Sequence, residues 1–339
     1  MPKLKEIGLI VENTDARDYV TQAQAAERMG FDSFWVPEDY VFPGAFSSCA
    51  AIAAATTKIK IGTGVVNPFT RHPVLLAMEL AALDQLSEGR AILGLGASIK
   101  LWIEEQMGIR YDKPVAALRD AVAIIRGLFA GKQLEHRGDA FTAAAGIRFN
   151  LRPLRPNVPI YLGATAPRTI ELAGEVADGW FPFGLGPEAI RPAIERIRAG
   201  ARRAGRSLSD FCFSSFIFTA VGDDDRAVRE AIKPFLALIL GWFSAQPHLP
   251  IFTNFGLTAK DVNLIHQSHV RGEVRPEMVS EKMIDGLALA GSPQRCRERL
   301  AQYVDAGIET AVFAIEGGPE FAKNLESLHR NLVSMAQPG

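Results

Sequence analysis

The chain has 339 residues, of which 48% are hydrophobic and 22% are charged, and a chain of this length buries roughly three quarters of its unfolded surface. Lysine and arginine number 37 against 38 for aspartate and glutamate, a net charge of -1 without a basic run, so a nucleic-acid partner is not indicated. Cys49, Cys212 and Cys296 are far apart and form no CxxC motif, which argues against a disulfide framework and a zinc site. The longest apolar stretch, 235–243, is about half a membrane span. We therefore expect a cytoplasmic protein without a membrane segment.

Short apolar runs alternate with segments of helical periodicity along the whole chain. The first four strand and helix pairs are predicted at 7–11 and 16–30, 31–36 and 46–57, 59–66 and 72–87, and 91–95 and 114–130. The next three are predicted at 160–163 and 167–177, 180–183 and 187–204, and 211–221 and 224–243. The eighth strand, 308–315, follows a helix at 293–306. Eight such units with nearly continuous apolar strands predict a (β/α)8 TIM barrel, with its site at the carboxyl ends of the strands.

Three segments are longer than a connection in such a barrel requires. They are 98–113, 133–150, which is predicted to form a hairpin, and 247–280, which is polar and is predicted to be irregular. Proline and glycine are scattered rather than pooled, so no linker divides the chain. We expect one barrel domain over residues 1–339, with these three segments as insertions.

Three GxG sequences are candidates for a nucleotide site, and one histidine pair is a candidate for a metal site. Three GxG sequences lack the third glycine and the downstream acid of a dinucleotide-binding unit. His266 and His269 form an HxxH motif within the polar insertion, where an ordinary solvated pair is favoured over a metal site. We expect no metal.

The sequence from Gly163 to Arg168 has the features of an anion site. Its small residues leave backbone N–H groups accessible, Thr165 can cap a helix, and Pro167 suits the first helical position. Amides at a helix N-terminus bind anions, and Arg168 adds a cation. A plain loop with a good helix cap explains the same residues, and both interpretations stay open. Gly64 likewise permits either close approach of a flat ligand or a simple exit of the strand.

Four stretches together resemble the bacterial luciferase-like superfamily, in particular the branch that uses the deazaflavin coenzyme F420 and is typified by methylenetetrahydromethanopterin reductase. They are FWVPED at 34–39, IGTGVVNPFTRHP at 61–73, LDQLSEGRAILGLG at 83–96, and residues 163–180. The resemblance implies a (β/α)8 barrel, usually a homodimer, with a non-prolyl cis peptide that falls at Gly64–Val65. It also implies a coenzyme ring over the barrel mouth and a phosphate on the amides of residues 163–166.

Two departures from the family pattern bear on the substrate. Asp39 matches an acid that hydrogen-bonds the deazaflavin, but Tyr40 stands where many relatives have a catalytic histidine. The segment 96–99 lacks the acidic residue of the sugar-phosphate dehydrogenases. Both departures argue against oxidation of a sugar phosphate. A neutral phenol donates a hydrogen bond at pH 7 and is a poor base, so Tyr40 favours reduction of an unsaturated acceptor.

Asp39 and Tyr40 are the predicted catalytic residues. The predicted cofactor-binding residues lie at strand ends or match the family motifs; they are Asp39, Gly64, Val65, Asn67, Ala97, Ser98, Gly163, Ala164, Thr165, Ala166 and Gly184. Tyr40, Phe69, Trp102 and Phe183 suggest a small apolar or aromatic substrate. The main hypothesis is hydride transfer with coenzyme F420. The alternatives are an FMN-dependent monooxygenase and a flavin-binding protein without turnover.

Overall fold

Parallel strands close into a barrel in the computed structural model, which describes residues 4–12, 14–38, 42–131, 133–245 and 250–334. Within these ranges the strands are β1 (Glu6–Glu12), β2 (Ser33–Val36), β3 (Lys60–Thr63), β4 (Ala91–Gly96), β5 (Leu134–Arg137), β6 (Thr142–Ile147), β7 (Ile160–Gly163), β8 (Gly179–Trp180), β9 (Cys212–Val221), β10 (Ala288–Gly291) and β11 (Thr310–Glu316). The barrel runs β11, β1, β2, β3, β4, β7, β8, β9 and closes from β9 onto β11. The predicted (β/α)8 barrel is confirmed.

Helices follow the barrel strands and cover its outside. In the described part of the chain the α-helices are α1 (Ala16–Arg28), α2 (Ala45–Ala55), α3 (Pro73–Leu86), α4 (Pro114–Phe129), α5 (Pro167–Val176), α6 (Pro187–Arg203), α7 (Asp225–Phe243), α8 (Pro250–Thr253), α9 (Ala259–Val270), α10 (Glu281–Leu287), α11 (Pro293–Asp305) and α12 (Phe321–Leu328). Two π-helical segments, Leu101–Gln106 and His329–Val333, and a 3-10 turn, Pro276–Met278, complete the pattern. None of these helices is long and apolar enough to span a bilayer.

Alternate residues of the strands face two separate cores. On β1, Leu9 and Val11 pack outward against the helices, whereas Ile10 lies in the core inside the barrel. Trp35 fills the interior, where its ring stacks on Phe181 with the centroids 4.5 Å apart. A Cβ atom on Gly62 would lie 2.3 Å from the Trp35 ring, so the glycine is required there. The Trp35 and Phe181 rings therefore fill the barrel interior below the carboxyl ends of the strands.

The segment that we predicted to be polar and irregular contains α8, α9 and a 3-10 turn in its described part. Helix α9 begins with a capping box in which Thr258 and Asp261 satisfy each other's backbone N–H groups, and its buried residues include Val262 and Ile265. His266 is bound to the Ser244 hydroxyl at the end of α7, with 3.0 Å between Nδ1 and Oγ. The expectation of irregular structure is wrong, because a four-residue cap and a few apolar positions suffice once α7 is available to pack against.

Two further elements lie outside the eight repeats. Strand β10, which was not predicted, pairs with the carboxyl end of β9, Phe218–Val221. The hairpin β5–β6 was predicted, and Asp120 of α4 holds its turn by accepting hydrogen bonds from the Ala140 and Phe141 N–H groups at 2.8 and 3.0 Å. Burial opposes ionisation of Asp120, but these bonds and His136 outweigh burial and lower the pKa of the carboxyl.

A buried ion pair ties the loop before β7 to α3. Arg155 binds the Asp84 carboxylate with two nitrogens, the shorter contact being 2.7 Å, and donates to the Ala91 carbonyl at 2.7 Å. The Asp84 side chain is only 1% exposed. Removal of one partner therefore leaves a charge without compensation in a mostly buried place.

We predict that Asp84→Ala lowers the free energy of unfolding by about 3 kcal/mol, in the range for breaking buried ion pairs. Thermal or urea unfolding measures the change. Asp112→Ala is the control, since it removes an ion pair with Arg110 that is exposed and should cost less than about 1 kcal/mol. Equal losses in the two variants would contradict the assignment.

Candidate active site

The carboxyl ends of the barrel strands surround a cavity of about 670 Å³. Seven of the eight barrel strands contribute lining residues to this cavity at or near their carboxyl ends, as predicted. Among the described residues, the last barrel strand, β11, contributes none. The contributing residues include Glu12 at the end of β1, Glu38 after β2, Gly64 and Val65 after β3, Gly96 at the end of β4, Gly163 at the end of β7, Phe183 after β8 and Phe218 on β9. A cavity of this size suits a ligand of several rings.

Strand β3 leaves the sheet at the cavity floor. Its regular pairing with β4 ends at Gly62, and a single bridge at Val66 resumes it. Between them the Gly64–Val65 peptide bond is cis, as predicted. The Thr63 hydroxyl replaces the missing ladder bonds, since it donates to the Gly94 carbonyl at 2.9 Å and accepts from the Gly94 N–H at 3.0 Å.

The Val65 side chain occupies space that three glycines of neighbouring strands leave open. A Cβ atom on Gly96 would lie 2.6 Å from Val65 Cγ2, and one on Gly163 would lie 3.2 Å from it. A Cβ atom on Gly94 would come within 1.9 Å of the Thr63 carbonyl oxygen. These strands therefore need glycine to pass beside Val65, and the floor between β3 and β7 carries no other side chain at these three positions.

The predicted anion-binding loop opens into the cavity. Thr165 was predicted to cap α5, and this prediction is wrong. The N-cap residue is Ala166, whose side chain cannot accept a hydrogen bond. Thr165, Ala166, Arg168 and Thr169 all line the cavity. Within the described ranges the exposed Arg168 side chain forms neither a hydrogen bond nor an ion pair. The first amides of a helix carry a partial positive charge, so this corner combines free donors with a cation.

Three more of the predicted cofactor-binding residues line the cavity. Asn67 is buried, and its Oδ1 accepts from the Phe69 and Thr70 N–H groups at 3.0 Å, so its carboxamide shapes the loop after β3. Ser98 has a left-handed φ of 58°, and its carbonyl accepts from the Tyr111 hydroxyl at 3.2 Å. Ala97 lies between β4 and Ser98 on the same wall.

The remaining predicted residues are placed differently. Ala164 is buried, does not line the cavity, and accepts a hydrogen bond from Trp180 Nε1 at 2.8 Å. Gly184 does not line the cavity either; it has a φ of 63°, which favours glycine. Asp39 and Tyr40 lie outside the described residues.

Aromatic side chains form much of the remaining cavity lining. The sequence indicated Trp102 and Phe183, and both line the cavity. Phe69 does not line it but packs on Tyr111, with the ring centroids 4.8 Å apart. Phe218, at the end of a strand predicted to reach the site, also lines the cavity. Further lining residues were not predicted; they are Tyr111, Phe181, Phe216, Ile239, Trp242 and Phe243.

Helix α7 contributes the part of this lining that carried a detectable signal. Ile239, Trp242 and Phe243 have the helical spacing i, i+3, i+4, which places them on one face. Trp242 meets Trp102 edge to face with the centroids 5.8 Å apart. The spacing predicts a buried face, but it does not reveal that the face overlies the barrel mouth.

Two carboxylates complete the polar part of the cavity wall. Glu12 is only 7% exposed. Glu38 forms a bidentate pair with Arg71, whose Nη1 lies 2.6 and 2.7 Å from its two oxygens. Arg71 Nε also lies 3.3 Å from Glu79 Oε2. The pKa of the Glu79 carboxyl is raised, mainly by burial; Arg71 opposes this shift and Glu38 adds to it. Among the described residues no three histidine, cysteine or acidic side chains are grouped to hold a metal.

Comparison with known proteins agrees with this geometry. The family model described as luciferase-like monooxygenase matches residues 5–310. The chain is 29% identical over 315 residues to 5,10-methylenetetrahydromethanopterin reductase of Methanolobus tindarius, covering 92% of this chain and 94% of that protein.

Two solved structures share the fold. Coenzyme F420 dependent tetrahydromethanopterin reductase of Methanopyrus kandleri superposes with a TM-score of 0.85 at 24% identity, over 99% of this chain and 100% of that one. An F420-dependent secondary alcohol dehydrogenase in complex with an F420-acetone adduct has a TM-score of 0.81 at 21% identity, with complete coverage of both chains. The family resemblance inferred from the motifs is confirmed: the chain belongs to the luciferase-like monooxygenase family.

Proposed function

We propose that this protein is an oxidoreductase that transfers a hydride between coenzyme F420 and a small organic substrate. The observation that carries the proposal is the N-terminus of α5, which has no side-chain cap and opens into the main cavity. Arg168 lies beside it and has no ion-pair or hydrogen-bond partner among the described residues. Relatives named as F420-dependent enzymes support the choice of coenzyme.

The residues of the cavity fit such a coenzyme. The amides at the start of α5 and the Arg168 guanidinium form a donor set for a phosphate. Gly96, Gly163 and Val65 line the cavity together, and the coenzyme ring is proposed to lie over them. When bound, coenzyme F420 supplies a deazaflavin that exchanges a hydride and reacts poorly with oxygen.

The protein's own side chains orient the substrate and exclude water. The wall formed by Phe183, Phe216, Trp242 and Phe243 is apolar, so it favours an apolar or aromatic substrate body. Asp39 is proposed to hold the coenzyme ring, and Tyr40 to donate a hydrogen bond to the substrate. Because an ordinary phenol is protonated at pH 7, this donor suits reduction of an unsaturated acceptor.

The two alternative functions predict different cofactor binding and different consumption of oxygen. An FMN-dependent monooxygenase would bind FMN in preference to coenzyme F420 and would consume oxygen when reduced. A flavin-binding protein without turnover would bind a cofactor but would neither consume oxygen nor reduce any acceptor. Absorbance titrations with each cofactor, followed by an oxygen electrode and a screen of unsaturated acceptors against reduced coenzyme, separate the three.

A homodimer in the cytoplasm is part of the proposal. Leu75, Met78 and Leu86 of α3 are 50, 49 and 54% exposed, and the neighbouring outward positions of α2 include the small residues Ala51 and Ala54. A face of this kind is typical of an interface between copies of a chain. The three cysteines are free thiols, which is compatible with a reducing compartment.

We predict that Thr165→Glu weakens coenzyme F420 binding by about tenfold or more, because a carboxylate would face the phosphate. Fluorescence titration measures the dissociation constant. Thr165→Gln has similar size without charge and should stay within about threefold of the native protein. If the Glu variant bound the coenzyme as tightly as the Gln variant, the phosphate site would lie elsewhere.

We predict that Tyr40→Phe lowers kcat by about tenfold or more, since it removes a proton donor. General acid catalysis typically accelerates a reaction by about 10²- to 10⁴-fold. Coenzyme affinity should stay unchanged. The assay uses reduced coenzyme and the acceptor that the screen identifies. Tyr19→Phe is the control, as Tyr19 packs on Phe34 away from the cavity. An unchanged kcat in Tyr40→Phe would leave Glu12 or a water as the proton source.

We predict that Met78→Glu converts the dimer to a monomer, because it places a charge in the apolar face of α3. Light scattering after gel filtration measures the mass. Val270→Glu is the control, since Val270 is 71% exposed on α9 and outside this face. A monomeric native protein, or a dimeric Met78→Glu variant, would contradict the assigned interface.

A further inference from the structure

The Phe218 side chain of β9 lies between the main cavity and a second cavity of about 490 Å³. The second cavity is enclosed by α7, α12 and the carboxyl ends of β9 and β11. Among the described residues, Phe218 and Glu12 are the two that line both cavities. The Phe218 side chain is bulky and only 2% exposed, so it forms part of the partition between the two spaces.

Aromatic rings from both cavity linings hold the Phe218 ring in this partition. Phe183 and Phe216 line the main cavity but not the second one, and they meet Phe218 edge to face with the centroids 5.3 and 4.9 Å apart. Phe235 lines the second cavity but not the main one, and it meets Phe218 edge to face at 5.0 Å. Edge-to-face pairs at this spacing are favourable. Rotation of the Phe218 ring out of the partition would therefore lose three ring contacts.

The surfaces on the two sides of Phe218 are both apolar. On the main-cavity side they are the aromatic rings already described. On the other side, α7 presents one helix face to the second cavity; its residues are Ala227, Val228, Ala231, Ile232 and Phe235. An apolar chain that passed the position of Phe218 would meet this face, and burial of each methylene group there would be favourable. The Phe218 ring is therefore a steric limit between two spaces that an apolar chain could occupy together.

We infer that Phe218 determines substrate specificity by limiting the length of the apolar substrate body. The substrate lies against the aromatic rings of the main cavity and ends at the Phe218 ring, so a longer chain is excluded. The inference rests on the proposed function, which assigns the substrate to the main cavity, and it adds the residue that selects for substrate length. It assigns no ligand of the native protein to the second cavity.

The experiment uses straight-chain α,β-unsaturated methyl ketones of increasing length as probes. Isothermal titration, with oxidised coenzyme F420 and again without coenzyme, gives their dissociation constants in the absence of turnover. In the native protein we expect affinity to rise about fourfold with each added methylene group up to a limiting length, and then to fall. In Phe218→Ala the rise should continue for at least about four more methylene groups. With reduced coenzyme, kcat/KM should follow the same length dependence.

Matched variants test where the added length lies. Phe216→Ala removes the same atoms from a residue of β9 that does not line the second cavity, and it should extend the limit by no more than about two methylene groups. Ala231→Trp fills the second cavity from an exposed position of α7. Combined with Phe218→Ala it should restore the native limit, and alone it should leave the limit unchanged.

A milder substitution at the same position guards against loss of folding. Phe218→Val keeps a branched apolar side chain that suits a β-strand, and it should shift the length limit in the same direction as Phe218→Ala. Circular dichroism confirms the folding of each variant.

The same length limit in the native protein and in both Phe218 variants would overturn the inference. So would an equal extension in Phe216→Ala, an extension that persists when Ala231→Trp is added, or no saturable binding of any ketone. The proposed function is tested separately by fluorescence titration of the native protein with coenzyme F420. If the coenzyme did not bind, the proposed function would fail, whereas the length limits measured without coenzyme would still decide the role of Phe218.

Discussion

The contact between Val65 and the glycines of β4 and β7 is the constraint on which the main cavity depends. Strand β3 turns away after Thr63, and the Val65 side chain then takes the room that Gly96 and Gly163 leave. The backbone pairing of β3 with β4 is interrupted here. The Thr63 hydroxyl and the Gly94 backbone form two hydrogen bonds across the gap, so the two strands stay connected. A methyl group at Gly94 would meet the Thr63 carbonyl. The three glycines are therefore required by the packing of Thr63 and Val65 at this end of the cavity.

The cavity is lined by two chemically different groups of residues. The start of α5 offers backbone donors and Arg168, whereas α7 and β9 offer aromatic rings such as Phe216 and Trp242. Under the proposed function, the first group holds the coenzyme phosphate and the second contacts the substrate body. Fixed groups for both ligands would set their relative orientation before any reaction.

Helix starts could be predicted from the sequence, while elements that depend on distant partners could not. Helices α4, α5, α6 and α11 begin at the predicted prolines, because proline suits the first helical position regardless of tertiary context. Strand β10 is only Ala288–Gly291 and is stabilised by pairing with β9, so its own residues carry little signal. The aromatic cavity lining could not be predicted for the same reason, since it also depends on distant partners. The spacing of residues in α7 predicts a buried face, but its position over the barrel mouth depends on the tertiary structure.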